Sequence, residues 1–194
     1  MTTITIFDYG AGNLHSLAKA LEGEGADIHI ESDPVAATRA DALILPGVGA
    51  FAAAAKRLAP GLDAMREAIG QGLPTLGICL GMQLLFDRSD EGEGAGLGVI
   101  PGHVRKLRGE RVPQIGWNDV ETFDESLPQV AYFANSYVCE PLDPDVIVAY
   151  TTYDGDRFAS AVSVHNAIGV QFHPEKSSAA GVEFVRHFVR GVVR

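Results

Sequence analysis

Leu76-Gly77-Ile78-Cys79-Leu80-Gly81-Met82-Gln83 is the stretch whose reading decides the fold. The apolar run from Leu73 to Ile78 predicts a buried strand, and an apolar helical pattern follows it at once. Between them lies Gly77-x-Cys79-x-Gly81, the cysteine counterpart of the Gly-x-Ser-x-Gly nucleophile elbow. A tight strand-to-helix turn needs glycine at both flanks, because a Cβ at either would crowd the neighbouring backbone. Such a turn lifts Cys79 above the sheet edge, over the N-terminus of the next helix, whose amides and dipole favour the reactive thiolate. Free cysteines are also among the most buried side chains, so the elbow alone leaves two readings open: nucleophile or inert core thiol.

Working outward, Thr3 to Phe7 alternates as a strand, Asp8 to Asn13 makes a turn, and Leu14, Leu17, Ala18 and Leu21 recur at helical spacing. Strands are predicted over Ala26 to Ile30 and Ala42 to Leu45. Pro46-Gly47-Val48-Gly49 then breaks the chain before an alanine-rich helix from Ala50 to about Ile69. A short helix, Met82 to Phe86, follows the cysteine strand. Strands alternating with helices predict an α/β fold with a parallel, doubly wound sheet in the N-terminal half.

Beyond Asp87 the pattern changes. Asp90 to Gly96 is an acidic, glycine-rich run that reads as a solvated connection. Short strand-like runs follow at His103 to Leu107, Val130 to Phe133, Ser136 to Cys139, Val146 to Thr151, Ala159 to His165 and Ile168 to Phe172. No helix between them is long enough for a crossover, so the added strands of this half are antiparallel or mixed. A closing helix is predicted from about Ala179 to Val193. The 194 residues read as one domain, 1–194, without repeats or a linker.

Composition bounds the function. A net charge of −10 argues against a phosphate-backbone partner. The N-terminus lacks the basic and apolar regions of a signal peptide, and no stretch approaches the roughly 20 apolar residues of a membrane helix. The two cysteines, Cys79 and Cys139, lie far apart and support neither a disulfide framework nor a zinc site. A cytoplasmic chain is expected, in a compartment where a reactive thiol stays reduced.

A thiol nucleophile needs a base, and there are six histidines. His29 alternates within a strand, His187 lies on the terminal helix, and His103 sits in a basic, solvated stretch. His15 and His165 adjoin turns and have no acidic neighbour placed to orient them. His173 differs, because it ends an apolar strand in Gln171-Phe172-His173-Pro174-Glu175-Lys176-Ser177. Pro174 keeps the chain extended, and residues two apart on an extended chain face the same way. Glu175 can then hold one imidazole nitrogen and leave the other for Cys79.

These residues resemble the class I (triad) glutamine amidotransferases. More narrowly, Asp8-Tyr9-Gly10-x-Gly12-Asn13-Leu14, Leu45-Pro46-Gly47-Val48-Gly49-Ala50-Phe51, Gly116-Trp117-Asn118 and Gly169 to Ser177 resemble the glutaminase subunits of imidazole glycerol phosphate synthases, from histidine biosynthesis. The resemblance spans essentially the whole chain. It implies that Cys79 attacks the side-chain amide of glutamine, that His173 moves the protons, and that Glu175 orients His173. Backbone N–H groups of Leu80, Val48 and Gly49 would form the oxyanion hole. Gly49, Gln83, Ser136 and Tyr137 would hold the glutamine. Ammonia would pass to a cyclase subunit in a heterodimer, with Asn13, Trp117 and Asn118 as candidates for the contact. No metal or other cofactor is implied. Gln114 and Asn135 depart from the family pattern, standing where histidine is frequent.

Related enzymes often carry two glycines where this chain has Gly47-Val48, and valine resists positive φ. If the oxyanion hole requires the Val48 peptide to rotate, hydrolysis by the isolated chain is expected to be slow and to rise on cyclase binding. Three rival readings share parts of this pattern. They are the same chemistry feeding another ammonia-requiring synthase, a thiol hydrolase acting unaided, and a catalytically silent regulatory module.

Overall fold

The structure, a computed structural model, describes residues 2–10 and 14–193. Apolar runs and helical periodicity in the first half give β1 (Thr2–Phe7), α1 (His15–Leu21), β2 (Ala26–Glu31), α2 (Pro34–Ala37), β3 (Ala42–Leu45), α3 (Phe51–Leu58), α4 (Leu62–Gly70), β4 (Thr75–Ile78) and α5 (Leu80–Leu84). The second half adds β5 (Arg88–Ser89), β6 (Gly102–Lys106), β7 (Gln114–Asp119), β8 (Glu121–Thr122), β9 (Val130–Asn135), β10 (Tyr137–Pro141), β11 (Ile147–Tyr153), β12 (Asp156–Val164), β13 (Ala167–Val170) and α6 (Ser178–Val192).

The main sheet runs β2-β1-β3-β4-β13-β12-β10-β6-β5, with β11 pairing β12 and β8. From β2 to β13 every pairing is parallel. From β13 through β12 and β10 to β6 the strands are antiparallel, as expected for the second half. The fifth parallel strand, β13, therefore comes from the C-terminal half and lies beside β4. β7 and β9 form a separate antiparallel ribbon.

Both faces of the parallel sheet are covered, which is why β3 and β4 are buried at every residue. Side-chain alternation divides the core between the two faces. Ile4, Ile6, Ile44, Leu76 and Ile78 pack toward Leu17, Leu21, Phe184 and Val189 of α1 and α6. Phe7, Leu43 and Leu45 pack toward Leu58, Met65, Ile69, Leu80 and Met82 of α3, α4 and α5. Among the described residues, no helix is long and apolar enough to cross a membrane.

Several elements differ from the sequence reading. The single helix expected from Ala50 to Ile69 is two helices joined by a 3-10 turn at Ala59–Gly61. Pro60 lacks the N–H that a continuous helix needs, and Gly61 lies so close to Pro34 that a Cβ would come within 2.8 Å of its Cγ. The helix after the elbow starts at Leu80, earlier than expected. β7 was not expected because its pattern is inverted: Gln114, Gly116 and Asn118 face inward, while Ile115 and Trp117 are exposed. The strand expected from His103 is β6, but His103 is not in a solvated turn: its Nε2 is 3.4 Å from a Glu140 carboxylate oxygen. The acidic run is not purely solvated either, because Glu91 accepts a 2.9 Å bond from the N–H of Phe51 and so caps α3 from a distance.

The elbow is tightly packed. Cys79 takes φ 46° and ψ −102°, a strained conformation for a residue with a side chain. A Cβ on Gly77 would lie 2.7 Å from the carbonyl of Gly81, and one on Gly81 would lie 1.9 Å from the carbonyl oxygen of Leu45. Backbone cannot yield as a side chain does. Gly81→Ala is therefore expected to cost about 3 kcal/mol or more in urea denaturation. Gly70→Ala, at a helix end with nothing within 4 Å of the added Cβ, is expected to change stability by less than about 1 kcal/mol. Equal effects for the two would contradict this packing.

Candidate active site

In open parallel sheets, ligand sites form beyond the carboxyl ends of the strands. Here β3, β4 and β13 are neighbours, so the segments leaving them converge. β3 leads into Pro46 to Ala50, β4 into Cys79, and β13 into Gln171 to Glu175. The N–H of Cys79 donates to the carbonyl of Val170 at 2.7 Å, which ties the elbow to the histidine strand.

The structure brings Cys79, His173 and Glu175 together. His173 is 4% exposed and its Nδ1 lies 2.8 Å from Oε1 of Glu175. The local reason differs from the one read in the sequence. His173 is extended, but Glu175 lies in a 3-10 turn over Pro174–Lys176, and the turn curls the carboxylate back to the ring. Gly47 makes the approach possible, because a Cβ there would sit 3.0 Å from both Cys79 Cβ and His173 Cε1.

Electrostatics favour a charged imidazole. Burial alone would push the His173 imidazolium below its ordinary range. Hydrogen bonds to Cys79 and Glu175, and the negative charges of both, outweigh that and raise its pKa to about 10. The ring therefore stays protonated at neutral pH when Cys79 carries a thiolate.

The glutamine-holding residues implied by the resemblance flank the cysteine. Gln83 is 5% exposed and donates through Nε2 to the carbonyl of Tyr137 at 3.3 Å and to Oε1 of Gln171 at 3.4 Å. The carbonyl of Ser136 accepts from the N–H of Leu107. Alternation in an antiparallel ladder then turns the polar groups of Tyr137 away from β6 and toward Gln83. Of the two oxyanion candidates after β3, Gly49 takes φ 108°, whereas Val48 stays out of the positive-φ region.

Two further residues support the site and were not singled out by sequence reasoning. Gln171 is fully buried and its Nε2 donates to Cys79 Sγ at 3.4 Å. Its signal was available: it lies two residues before His173, a polar side chain in an otherwise apolar strand. Ser177, also fully buried, donates from Oγ to the carbonyl of His173 at 2.7 Å and accepts the N–H of Tyr132 at 2.8 Å. The N–H of His173 in turn donates to the carbonyl of Tyr132 at 2.8 Å.

The β7–β9 ribbon carries the contact candidates. Trp117 is 56% exposed and stacks edge-on against Tyr132, and Ile115 is 67% exposed. Asn118 is engaged within the chain, donating to the carbonyl of Thr152 at 3.0 Å. Asn13 lies outside the described residues. Gln114 and Asn135 prove to be buried cross-strand partners. Asn135 Nδ2 donates to the Tyr137 carbonyl at 3.1 Å, while the polar side-chain atoms of Gln114 and Oδ1 of Asn135 find no partner among the described residues.

The raised pKa sets a sign. The folded value lies above the ordinary 6.5, so the stabilisation from the charged ring is complete below about pH 6.5 and is lost as pH rises through about 10. In an NMR titration of the free chain, the His173 ring is expected to lose its proton near pH 10. Glu175→Gln is expected to lower that midpoint by about one unit or more. A wild-type midpoint near 6.5 would contradict the ion pair.

Residues 5–192 match the family described as glutamine amidotransferase class-I. The chain is 46% identical to the imidazole glycerol phosphate synthase subunit HisH of Pyrococcus furiosus, over 98% of this chain and 100% of that one. It is 44% identical to the HisH subunit of Synechocystis sp., over 99% and 98% of the two chains. Among solved structures, a glutamine amidotransferase superposes with a TM-score of 0.78 at 21% identity, covering 98% of this chain and 99% of that one. A chain of the PurLQS structure from Thermotoga maritima gives 0.74 at 18% identity, covering 100% and 99%. At such identities these two speak for the fold alone. On its sequence relatives, the chain belongs to the glutamine amidotransferase class-I family and, within it, to the imidazole glycerol phosphate synthase HisH subunits.

Proposed function

We propose that this chain hydrolyses glutamine to glutamate and ammonia through a thioester on Cys79. It passes the ammonia to a cyclase subunit, which makes imidazole glycerol phosphate and an aminoimidazole carboxamide ribotide in histidine biosynthesis. The observation that carries the reading is the convergence of Cys79, at a strained elbow, with His173 and Glu175 at the ends of adjacent strands. The 194 residues act as one cytoplasmic domain.

Each step follows from a named group. The Cys79 thiolate attacks the side-chain amide carbon of glutamine, and the carbonyl electron pair moves onto oxygen. Backbone N–H groups of Leu80 and of the Val48 and Gly49 peptides stabilise that oxyanion. The His173 imidazolium gives its proton to the departing nitrogen, and ammonia leaves a neutral γ-glutamyl thioester. The Cys79 charge that helped hold His173 protonated is now gone, which favours the neutral ring as a base. His173 takes a proton from water, the hydroxide adds to the thioester, and collapse releases glutamate and restores the thiolate–imidazolium pair. Glu175 orients the ring throughout. Gly49, Gln83 and the backbone of Ser136 and Tyr137 hold the substrate.

Val48 makes the oxyanion hole conditional. Its side chain packs against the core, and rotation of its peptide toward positive φ is costly for a β-branched residue. Docking of the cyclase with its ligand supplies that free energy, through a contact that includes Trp117, Asn118 and Asn13. Losing one oxyanion donor typically costs about 10²–10³ in rate, which sets the expected size of the switch. Glutamate release is expected to rise by about that factor when the cyclase and a substrate analogue are added, and to fall to background in Cys79→Ser. Turnover unchanged by the cyclase would overturn the coupling, and full activity in Cys79→Ser would overturn the mechanism.

A further inference from the structure

We propose that Gln171 is a catalytic residue: its side-chain amide holds the Cys79 thiolate through an N–H···S bond and, through Gln83, ties the nucleophile to the glutamine pocket. The inference rests on the glutaminase reading for the identity of the substrate, and on the geometry for the bond itself.

The chemistry of a thiolate fixes the order of the groups. A thiolate accepts and cannot donate, so the amide of Gln171 must turn its Nε2 toward Sγ, as observed at 3.4 Å. Its Oε1 then points the other way and needs a donor, because the side chain is fully buried. Gln83 supplies that donor from Nε2 at 3.4 Å. The same nitrogen also donates to the carbonyl of Tyr137 at 3.3 Å. Both N–H groups of Gln83 are thereby committed, and toward a substrate Gln83 has only its Oε1 to offer, as an acceptor. One self-consistent set of amide orientations thus runs from the Tyr137 carbonyl through Gln83 and Gln171 to the sulfur.

Gln171 adds something His173 cannot. The imidazolium stabilises the thiolate only while it keeps its proton, and it surrenders that proton in the first half-reaction. The Gln171 amide is neutral and keeps its N–H through every step, so it holds the sulfur in position as charge leaves and returns. The other ionisable neighbours do not replace it. Glu175 lies behind the ring, and Cys139 stays a thiol because burial, and then the Cys79 charge, push its pKa up. A glutamine substrate that donates to Gln83 Oε1 strengthens the Gln83 N–H bonds in the chain, so occupancy of the pocket is felt at the sulfur.

The test is iodoacetamide labelling of Cys79 against pH in the substrate-free chain, followed by peptide mass, together with glutaminase kcat and KM in the presence of the cyclase. Gln171→Met keeps the size and removes the donor. It is expected to move the labelling midpoint up by about one pH unit and to lower kcat about tenfold, with KM changed by less than about twofold. Gln83→Met is expected to move the midpoint the same way by less and to raise KM, and the double variant to move it no further than Gln171→Met. An unshifted midpoint and kcat in Gln171→Met, with only thermal stability lowered, would overturn the proposal. Should that variant not fold, an unshifted midpoint in Gln83→Met overturns it instead. If the wild type released no glutamate while the labelling shifts held, the glutaminase reading would fail and the amide–thiolate bond would stand.

Discussion

Everything at this site depends on how closely the start of α5 lies against the parallel sheet. A Cβ on Gly81 would fall 1.9 Å from the carbonyl oxygen of Leu45, so α5 rests on β3 with glycine as the only residue that fits. That contact leaves one residue, Cys79, to turn the chain from β4 into the helix, and it does so at φ 46°. Strain of this kind persists only where surrounding packing over-determines it. Here the packing comes from β3 below, from β13 through the Val170 carbonyl, and from α5 itself. The thiol is thereby fixed over three strand ends that bring the loop from Pro46 to Ala50 and His173 to it.

The histidine is fixed from a different direction. The N–H of His173 donates to Tyr132 on β9, and Ser177 bridges the His173 carbonyl back to the N–H of the same tyrosine. The ribbon with exposed Ile115 and Trp117 on its outer face is thus bonded to His173 through backbone. Cys79 and His173 leave adjacent strands of the parallel sheet, β4 and β13, the ribbon anchors His173 a second time, and the two side chains meet there. The raised pKa of His173 follows from that meeting. A buried thiolate at Cys79 and the partly buried carboxylate of Glu175 converge on one ring and outweigh its burial.

The parallel half of the fold was legible because β1 and β2 alternate, β3 and β4 are short apolar runs, and glycine or proline marks the breaks between elements. The elbow was legible for the same reason, since Gly77 and Gly81 record the close approaches that the structure displays. β7 was hidden because it faces Gln114, Gly116 and Asn118 inward and Ile115 and Trp117 outward, opposite to the usual pattern. The break at Pro60 was missed because flanking alanines outweighed one proline. The carboxylate of Glu175 was anticipated at the ring, but through an extended chain and not the 3-10 turn that places it. Ser177 acts through Tyr132, distant in sequence, and no local spacing announces that contact; Gln171 shows in the sequence as a polar side chain two residues before His173, but its partner Cys79 does not.

The central claim is that glutamine is cleaved on the sulfur of Cys79. Rapid quenching of the chain during turnover of glutamine with the cyclase, followed by peptide mass analysis, tests it most directly. The account predicts a γ-glutamyl adduct on the peptide containing Cys79, removable by hydroxylamine and absent from Cys79→Ala. Steady glutamate release without that adduct, undiminished in Cys79→Ala, would contradict it.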